Sequence, residues 1–260
     1  MPRAPGVSAA APGRNRRLAG GTPAPTAARQ ATPRGVHFST RLFGFLRQLK
    51  ANNDRAWFED NRERYARDVQ APMQAFILDF APHLSRLSKH FVADPRPHGG
   101  SMFRIYRDTR FSKDKSPYKT MAAAQFRHEA GRDVHAPGFY LHLEPGEVFV
   151  GAGLWHPDAQ TRARVRAAIL AQPARWKRIK ASPALRRVAV FGGDSLRRAP
   201  RGCDPDHELI EDLKRTDFVT IAALGEKSAC APGFLAKFVR ICRANAAFMQ
   251  FLTEALGLRW

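Results

Sequence analysis

Hydrophobic positions begin to recur with a regular period at Phe38. Ser39 carries a hydroxyl suited to cap a helix start, and Leu42, Phe45, Leu46 and Leu49 follow at helical spacing. Asn52-Asn53-Asp54 ends this helix and caps a second one bearing Trp57, Phe58 and Tyr65. A third helix, opened by Pro72, sets Met73, Phe76, Ile77, Phe80, Leu84 and Leu87 on one face. Gly99-Gly100 marks a change of period. From Met102 to Phe111 the repeat shortens towards two, Met121–Arg127 is a further strand candidate, and Phe139–Leu154 reads as a hairpin turning at Pro145-Gly146. Pro157 opens a helix to about Leu170, and short helices follow to Leu213. A last helix carries Phe234, Leu235, Phe238, Ile241, Cys242, Phe248, Leu252 and Leu256. Helices, then antiparallel strands, then helices predict an α+β fold with a central antiparallel sheet, in a single domain over residues 36–260.

Residues 1–35 follow neither period. They hold 9 Ala, 6 Pro, 5 Gly and 6 Arg with no acid, and read as a disordered basic tail. The tail contributes six units of a formal net charge of +20 over 260 residues. Basic residues are 33 Arg against 10 Lys, a bias that, with abundant Ala, fits a GC-rich bacterial genome better than a selected nucleic-acid surface. No stretch reaches the roughly 18 apolar residues of a membrane span, so no membrane partner is expected. Cys203, Cys230 and Cys242 are scattered and odd in number, which fits reduced thiols in a cytoplasmic protein. The nine histidines show neither HxxxH nor HExxH spacing, so no metal site is read from the sequence.

Candidate chemistry gathers between Arg104 and Lys119, where six cations and two acids occupy one strand–loop unit. Strand alternation points Arg104, Tyr106, Asp108 and Arg110 one way and Phe103, Ile105, Arg107 and Phe111 the other. Arg107 is then a guanidinium on the apolar side and requires a partner if buried. With Lys113, Lys115, Tyr118 and Lys119 in the following loop, these groups suit a phosphate or carboxylate, which Arg grips bidentately and Lys attracts as a point charge. Lys119-Thr120 imitates the end of a P-loop without the glycines that such a loop needs. An Arg/Asp ladder with a solvated basic loop would explain the same residues.

On the hairpin, Tyr140, His142 and Glu144 alternate with Phe139, Leu141 and Leu143. His142 with Glu144 or Asp108 would make a general acid/base pair, and these three are the candidate catalytic residues. Asn53, Trp57 and Asn61 are candidate border residues, the last two one helical turn apart. No nucleophile elbow or paired-carboxylate signature defines a reaction class, and no cofactor is implied.

The string Asn52–Phe58 with Asn61 and Tyr65, and then Tyr106–Lys119, resembles the bacterial and fungal family DUF2461. Tyr140 with Glu144-Pro145-Gly146, Gly151–Trp155, Arg201-Gly202 and Asp204–His207 are similar to it as well. The likeness runs from about Phe38 to Phe218, with departures at Cys203 and Glu208, where the family usually has an aromatic residue and a proline. It implies one globular domain and transfers no catalytic residue. Three classes of function remain: a site for a small phosphorylated or carboxylated ligand, nucleic-acid binding through the tail and surface arginines, and a structural or protein-docking module without a ligand. The clustering of Arg, Lys, Tyr and Asp favours the first.

Overall fold

Ser39 caps the first helix, its Oγ accepting from the Arg41 amide at 3.3 Å, and α1 runs Thr40–Ala51. Asp54 caps the next in the same way, accepting from the Trp57 amide at 2.9 Å. There follow α2 (Arg55–Asp60), α3 (Arg62–Tyr65), a widened π turn (Ala66–Gln70) and α4 (Ala71–Ser85), which buries Met73, Phe76, Ile77, Phe80 and Leu84. The structure, a computed structural model, describes residues 35–131 and 136–260. Of the basic stretch at residues 1–35, all but Gly35 lies outside the described residues.

The sheet comes next: β1 (Ala122–Arg127), β2 (Gly138–Glu144) and β3 (Glu147–Leu154), the last two closed at Pro145-Gly146. Then come α5 (Ala159–Ala171), α6 (Pro173–Ala181), α7 (Pro183–Arg186), β4 (Val190–Gly192), α8 (Ile210–Leu213) and β5 (Phe218–Leu224). The chain closes with α9 (Glu226–Ala229), α10 (Phe234–Ala244) and α11 (Ala246–Ala255). All strand pairs are antiparallel, in the order β1-β2-β3-β5-β4, and the fold is α+β. Among the described residues, no helix is long and apolar enough to cross a membrane.

One face of the sheet is the core face. Phe126, Phe139, Leu141, Val150, Ala152 and Phe218 share it by register, and all are buried. Phe80 of α4 meets Phe126 at 4.6 Å edge-on, and Phe238 of α10 meets Phe80 at 4.8 Å. Such crossed aromatic pairs add about 0.5–1.5 kcal/mol each to the burial itself. The other face carries Gln125, Tyr140, His142, Glu144, Phe149 and Ile221, of which only His142 is buried. The alternation along the hairpin is thus an inside and an outside.

Three expectations change. Met102–Phe111 is an extended arm rather than a strand: it makes isolated bridges, Met102 to Ala124 and Tyr106 to Tyr118. The last helix is two helices, interrupted at the buried Asn245, whose Oδ1 accepts from Thr220 Oγ1 at 2.6 Å and whose Nδ2 donates to Ile241 O at 2.9 Å. A polar side chain at the sheet's inner face must be satisfied there, and the break between α10 and α11 allows it. The third is the stretch read as short helices to Leu213, which also holds the strand β4. β5, for which the pattern predicts no element, pairs between β3 and β4; apart from Thr220 its residues are apolar on both faces, with no alternation to mark a strand.

Gly153 holds β3 against β5. Its φ is +131°, and a Cβ placed on it would lie 2.0 Å from Phe218 O. Gly151, on the same strand, would place a Cβ no nearer than 3.5 Å to its neighbours. Gly153→Ala is therefore expected to cost about 3 kcal/mol or more in chemical denaturation. Gly151→Ala is expected to be close to neutral; equal costs would contradict this register.

Candidate functional site

The arm and the segment after it build the site. Arg107 N donates to Pro117 O at 2.9 Å and Lys119 N to Ile105 O at 2.8 Å, so residues 105–107 and 117–119 form a short ribbon closed by the loop Asp108–Ser116. Ile105 and Tyr118 anchor the ribbon in the core, the Tyr118 ring stacking on Phe58 of α2 at 4.1 Å. Asn53, in the turn between α1 and α2, grips the Tyr118 backbone at both ends: Nδ2 donates to the carbonyl and Oδ1 accepts from the amide, each at 3.0 Å. This amide clamp fixes the C-terminal end of α1 against the ribbon.

Alternation in the arm survives without a sheet. Arg104, Tyr106, Asp108 and Arg110 are exposed, while Ile105 is buried and Arg107 half-buried. Arg107 has the partner its burial requires, since Nη1 pairs with Asp114 Oδ2 from the loop. Asp114 also accepts from the Ser116 hydroxyl at 2.6 Å and the Ser116 amide at 2.9 Å. The Ser116 hydroxyl first, and then the Arg107 guanidinium, hold its carboxyl far below the usual range. Arg107, Asp114 and Ser116 thus lock the loop shape together.

Between the ribbon and α1 lies an open cleft of about 380 Å³, lined by Lys50, Asn53, Arg107, Asp114, Ser116, Tyr118, Lys119, Thr120 and Met121. Lys50 comes from the last turn of α1, and Lys119 from the returning strand of the ribbon. The Lys119 ammonium donates to the carbonyls of Arg104 at 2.7 Å and Tyr106 at 3.2 Å. Burial, and then the nearby Arg104 charge, push its pKa down, and no carboxylate opposes them. One of its three donors is uncommitted.

At the cleft's edge the sheet contributes a second polar group. Thr120 Oγ1 donates to Glu144 Oε1 at 2.8 Å, and Lys50 Nζ stands 3.9 Å from the same oxygen. The other carboxylate oxygen, Oε2, lies 3.5 Å from His142 Nε2. Tyr140 OH bonds to His142 Nδ1 at 3.0 Å, and Phe149 stacks on the imidazole at 4.6 Å. Burial lowers the His142 pKa against the raising effect of Glu147 and Glu144. Burial also raises the Tyr140 phenol far above its ordinary value. His142, Glu144 and Glu147 are a group of possible metal donors, all within 4.8 Å of one another.

The residues singled out in the sequence therefore divide. Arg107, Tyr118, Lys119 and Asn53 line the cleft, and His142 with Glu144 borders it. Arg110 and Asp108 pair with each other at 2.7 Å on the exposed side, the Arg110 guanidinium holding Asp108 down to about 2. Asp108 thus stands apart from the His142–Glu144 pair. Arg104 and Lys113 are exposed, and Lys115 donates to Thr109 O at 2.9 Å. Trp57 packs against Phe45 at 5.7 Å, and Asn61 bonds within its own helical turn to Trp57 O at 2.9 Å. Neither lines the cleft. Lys50, Thr120 and Met121 were not singled out in the sequence. The basic last turn of α1 marks Lys50 in sequence, but as a complement to the helix dipole.

A family model described as a conserved hypothetical protein, DUF2461, matches residues 41–251. No curated protein matches the chain.

Asp114 offers a test of how the loop is held. A carboxylate with a depressed pKa stabilises fully above the ordinary value of 3.8 and loses that contribution as pH falls towards its own pKa. Asp114→Asn is therefore expected to melt earlier than wild type at neutral pH and to be nicked faster by trypsin at Arg110, Lys113 and Lys115. The gap in melting temperature should narrow only as the pH drops below 3.8. A gap independent of pH would remove the charge from the explanation.

Proposed function

The chain belongs to the DUF2461 family, and we propose that its cleft binds a small phosphorylated or carboxylated ligand through Lys119, Lys50 and Arg107. The observation that carries this reading is Lys119. Its ammonium is half-desolvated beside Arg104, is bonded to two carbonyls, and forms no ion pair among the described residues, the carboxylate that lines the cleft, Asp114, being taken up by Arg107 and Ser116. Holding a cation this way costs free energy, and an anion in the cleft would offset the cost. Arg166 supplies the contrast. It too is half-buried and bonded to carbonyls, of Leu213 at 2.6 Å and Arg215 at 3.0 Å, but these lie at the C-terminal end of α8, where a cation completes the helix. The carbonyls on Lys119 belong to no helix end.

The remaining lining supports the same ligand class. Ser116 and Thr120 offer hydroxyls beside the cations, and Arg107 retains N–H groups beyond the one given to Asp114. Three cations reach the cleft from two separately anchored segments, α1 and the ribbon, which the Asn53 clamp keeps in register. A site assembled before the ligand arrives loses little entropy on binding. Glu144 on the rim favours a ligand whose far end is neutral or basic, since a second anionic group there would be repelled.

Thermal melts with inorganic phosphate, a sugar phosphate and a dicarboxylate test the reading. A ligand present at roughly 100 times its Kd stabilises by about 2.7 kcal/mol, a rise of roughly 5–10 °C for a domain of this size. Lys119→Gln and Arg107→Gln are expected to abolish the rise, and Arg110→Gln, on the outside of the arm, to retain it. A rise that persists in Lys119→Gln would defeat the proposal.

A further inference from the structure

We propose that His142, Glu144 and Glu147 form a binding site for a borderline divalent transition-metal ion, such as Zn²⁺, at the β2–β3 turn. The hairpin brings the three donors together. His142 and Glu144 are two apart on β2 and so share its outer face, and Glu147 is the register partner of Glu144 across the turn. Their donor atoms lie within 4.8 Å of one another, against roughly 3.4 Å between donors of a tetrahedral ion with bonds near 2.1 Å. Glu147 is exposed, and no described residue bonds to its carboxylate, so it is free to close the difference.

The imidazole distinguishes this group from an ordinary acidic turn. His142 is only 9% exposed, and its Nε2 is buried without a hydrogen-bond partner, aimed at Glu144 Oε2 3.5 Å away. A buried ring nitrogen left unpaired is unfavourable, and a metal would use its lone pair. Two carboxylates directly opposite on paired strands also repel, and a divalent cation between them removes that repulsion. Nearby contacts hold the donors in place. Tyr140 OH engages Nδ1 at 3.0 Å, Phe149 stacks on the ring, and Thr120 Oγ1 holds Glu144 Oε1 at 2.8 Å, leaving Oε2 towards His142. One imidazole with two carboxylates suits Zn²⁺ or Mn²⁺ rather than a thiolate-seeking or an all-oxygen ion. Three protein donors leave a position open for water or a ligand atom. The site stands on its own donors and holds whether or not the neighbouring cleft takes an anion.

The test is calorimetric titration of the metal-free, full-length chain with Zn²⁺. Wild type is expected to bind one ion tightly. His142→Ala and Glu147→Gln are expected to bind at least roughly 10- to 100-fold more weakly, the range that even outer-shell changes produce. His156→Asn, which removes a histidine paired with Asp217 at 3.3 Å elsewhere, should bind as wild type does. If His142→Ala does not fold, the exposed Glu147→Gln variant decides, read by the visible absorption of Co²⁺ bound in place of zinc. A wild type that takes up no ion, or a Glu147→Gln variant that binds as tightly as wild type, would overturn the site.

Discussion

Two hydrogen bonds from one side-chain amide, Asn53 on the Tyr118 backbone, determine what the site can be. They join the end of a helix to a ribbon that has no sheet of its own, and no other side-chain hydrogen bond reaches the Tyr118 backbone among the described residues. Without them Lys50 and Lys119 would belong to separate surfaces. The clamp works because the Tyr118 ring is locked on Phe58 at 4.1 Å, so the backbone it grips cannot retreat. Asn53 is in turn positioned by Asp54, whose carboxylate caps α2 and fixes the turn from α1. A cap, a clamp and a stacked ring thus place the cations before any ligand is considered. Pairs of this sort, partly buried and geometrically specific, each contribute on the order of 1 kcal/mol, yet they determine the shape of the cleft.

The sequence makes the helical N-terminal layer, the hairpin and the inward guanidinium of Arg107 legible because each rests on local periodicity. Arg107 illustrates how far such reasoning reaches. Alternation alone places it on the apolar side, and electrostatics alone requires a partner, but nothing local identifies Asp114 as that partner. β5 and the break at Asn245 were hidden for a common reason. Apart from Thr220 the strand's residues are apolar on both faces although only one is buried, so they carry no alternation, and Asn245 makes sense only once Thr220 is known to face it. Lys50 is the same kind of omission at the site: a lysine at a helix end has an adequate local explanation, and only the tertiary contact gives it another.

Glu144 belongs to both polar groups. Its Oε1 faces Thr120 and Lys50 on the cleft side, and its Oε2 faces His142 on the hairpin side. A carboxylate divided in this way couples the two neighbourhoods electrostatically. Whatever neutralises it on one side frees Lys50 on the other, because a charge shared less strongly with one partner interacts more with the next. Tyr140, whose phenol burial holds far above its ordinary ionisation, and Phe149 cover the His142 ring and lower the dielectric through which this coupling acts.

The net charge of +20 is a poor guide to where the chemistry lies. Many of the individual charges are matched locally, which leaves the net excess unchanged. Arg62 pairs with Glu59 at 2.5 Å, Lys177 with Glu208 at 2.6 Å and Arg110 with Asp108 at 2.7 Å, all exposed. Exposed pairs of this kind are worth roughly 0–1 kcal/mol and serve to keep a strongly basic chain folded without marking a site. Function is better sought where the matching stops. Lys119 is such a place, because its charge is drawn out of water and met by peptide carbonyls and the Phe103 ring at 5.8 Å, not by a carboxylate. His142 is the other, a buried imidazole with a free nitrogen aimed at a carboxylate. Both border Glu144 or its partner Thr120, one from the ribbon and one from the sheet. An arginine-rich composition would place its unmatched charge anywhere on the surface. Exposed cations such as Arg104 keep their charge in water, whereas Lys119 and His142 are drawn out of it, and it is that burial which argues for a local chemical requirement over compositional drift.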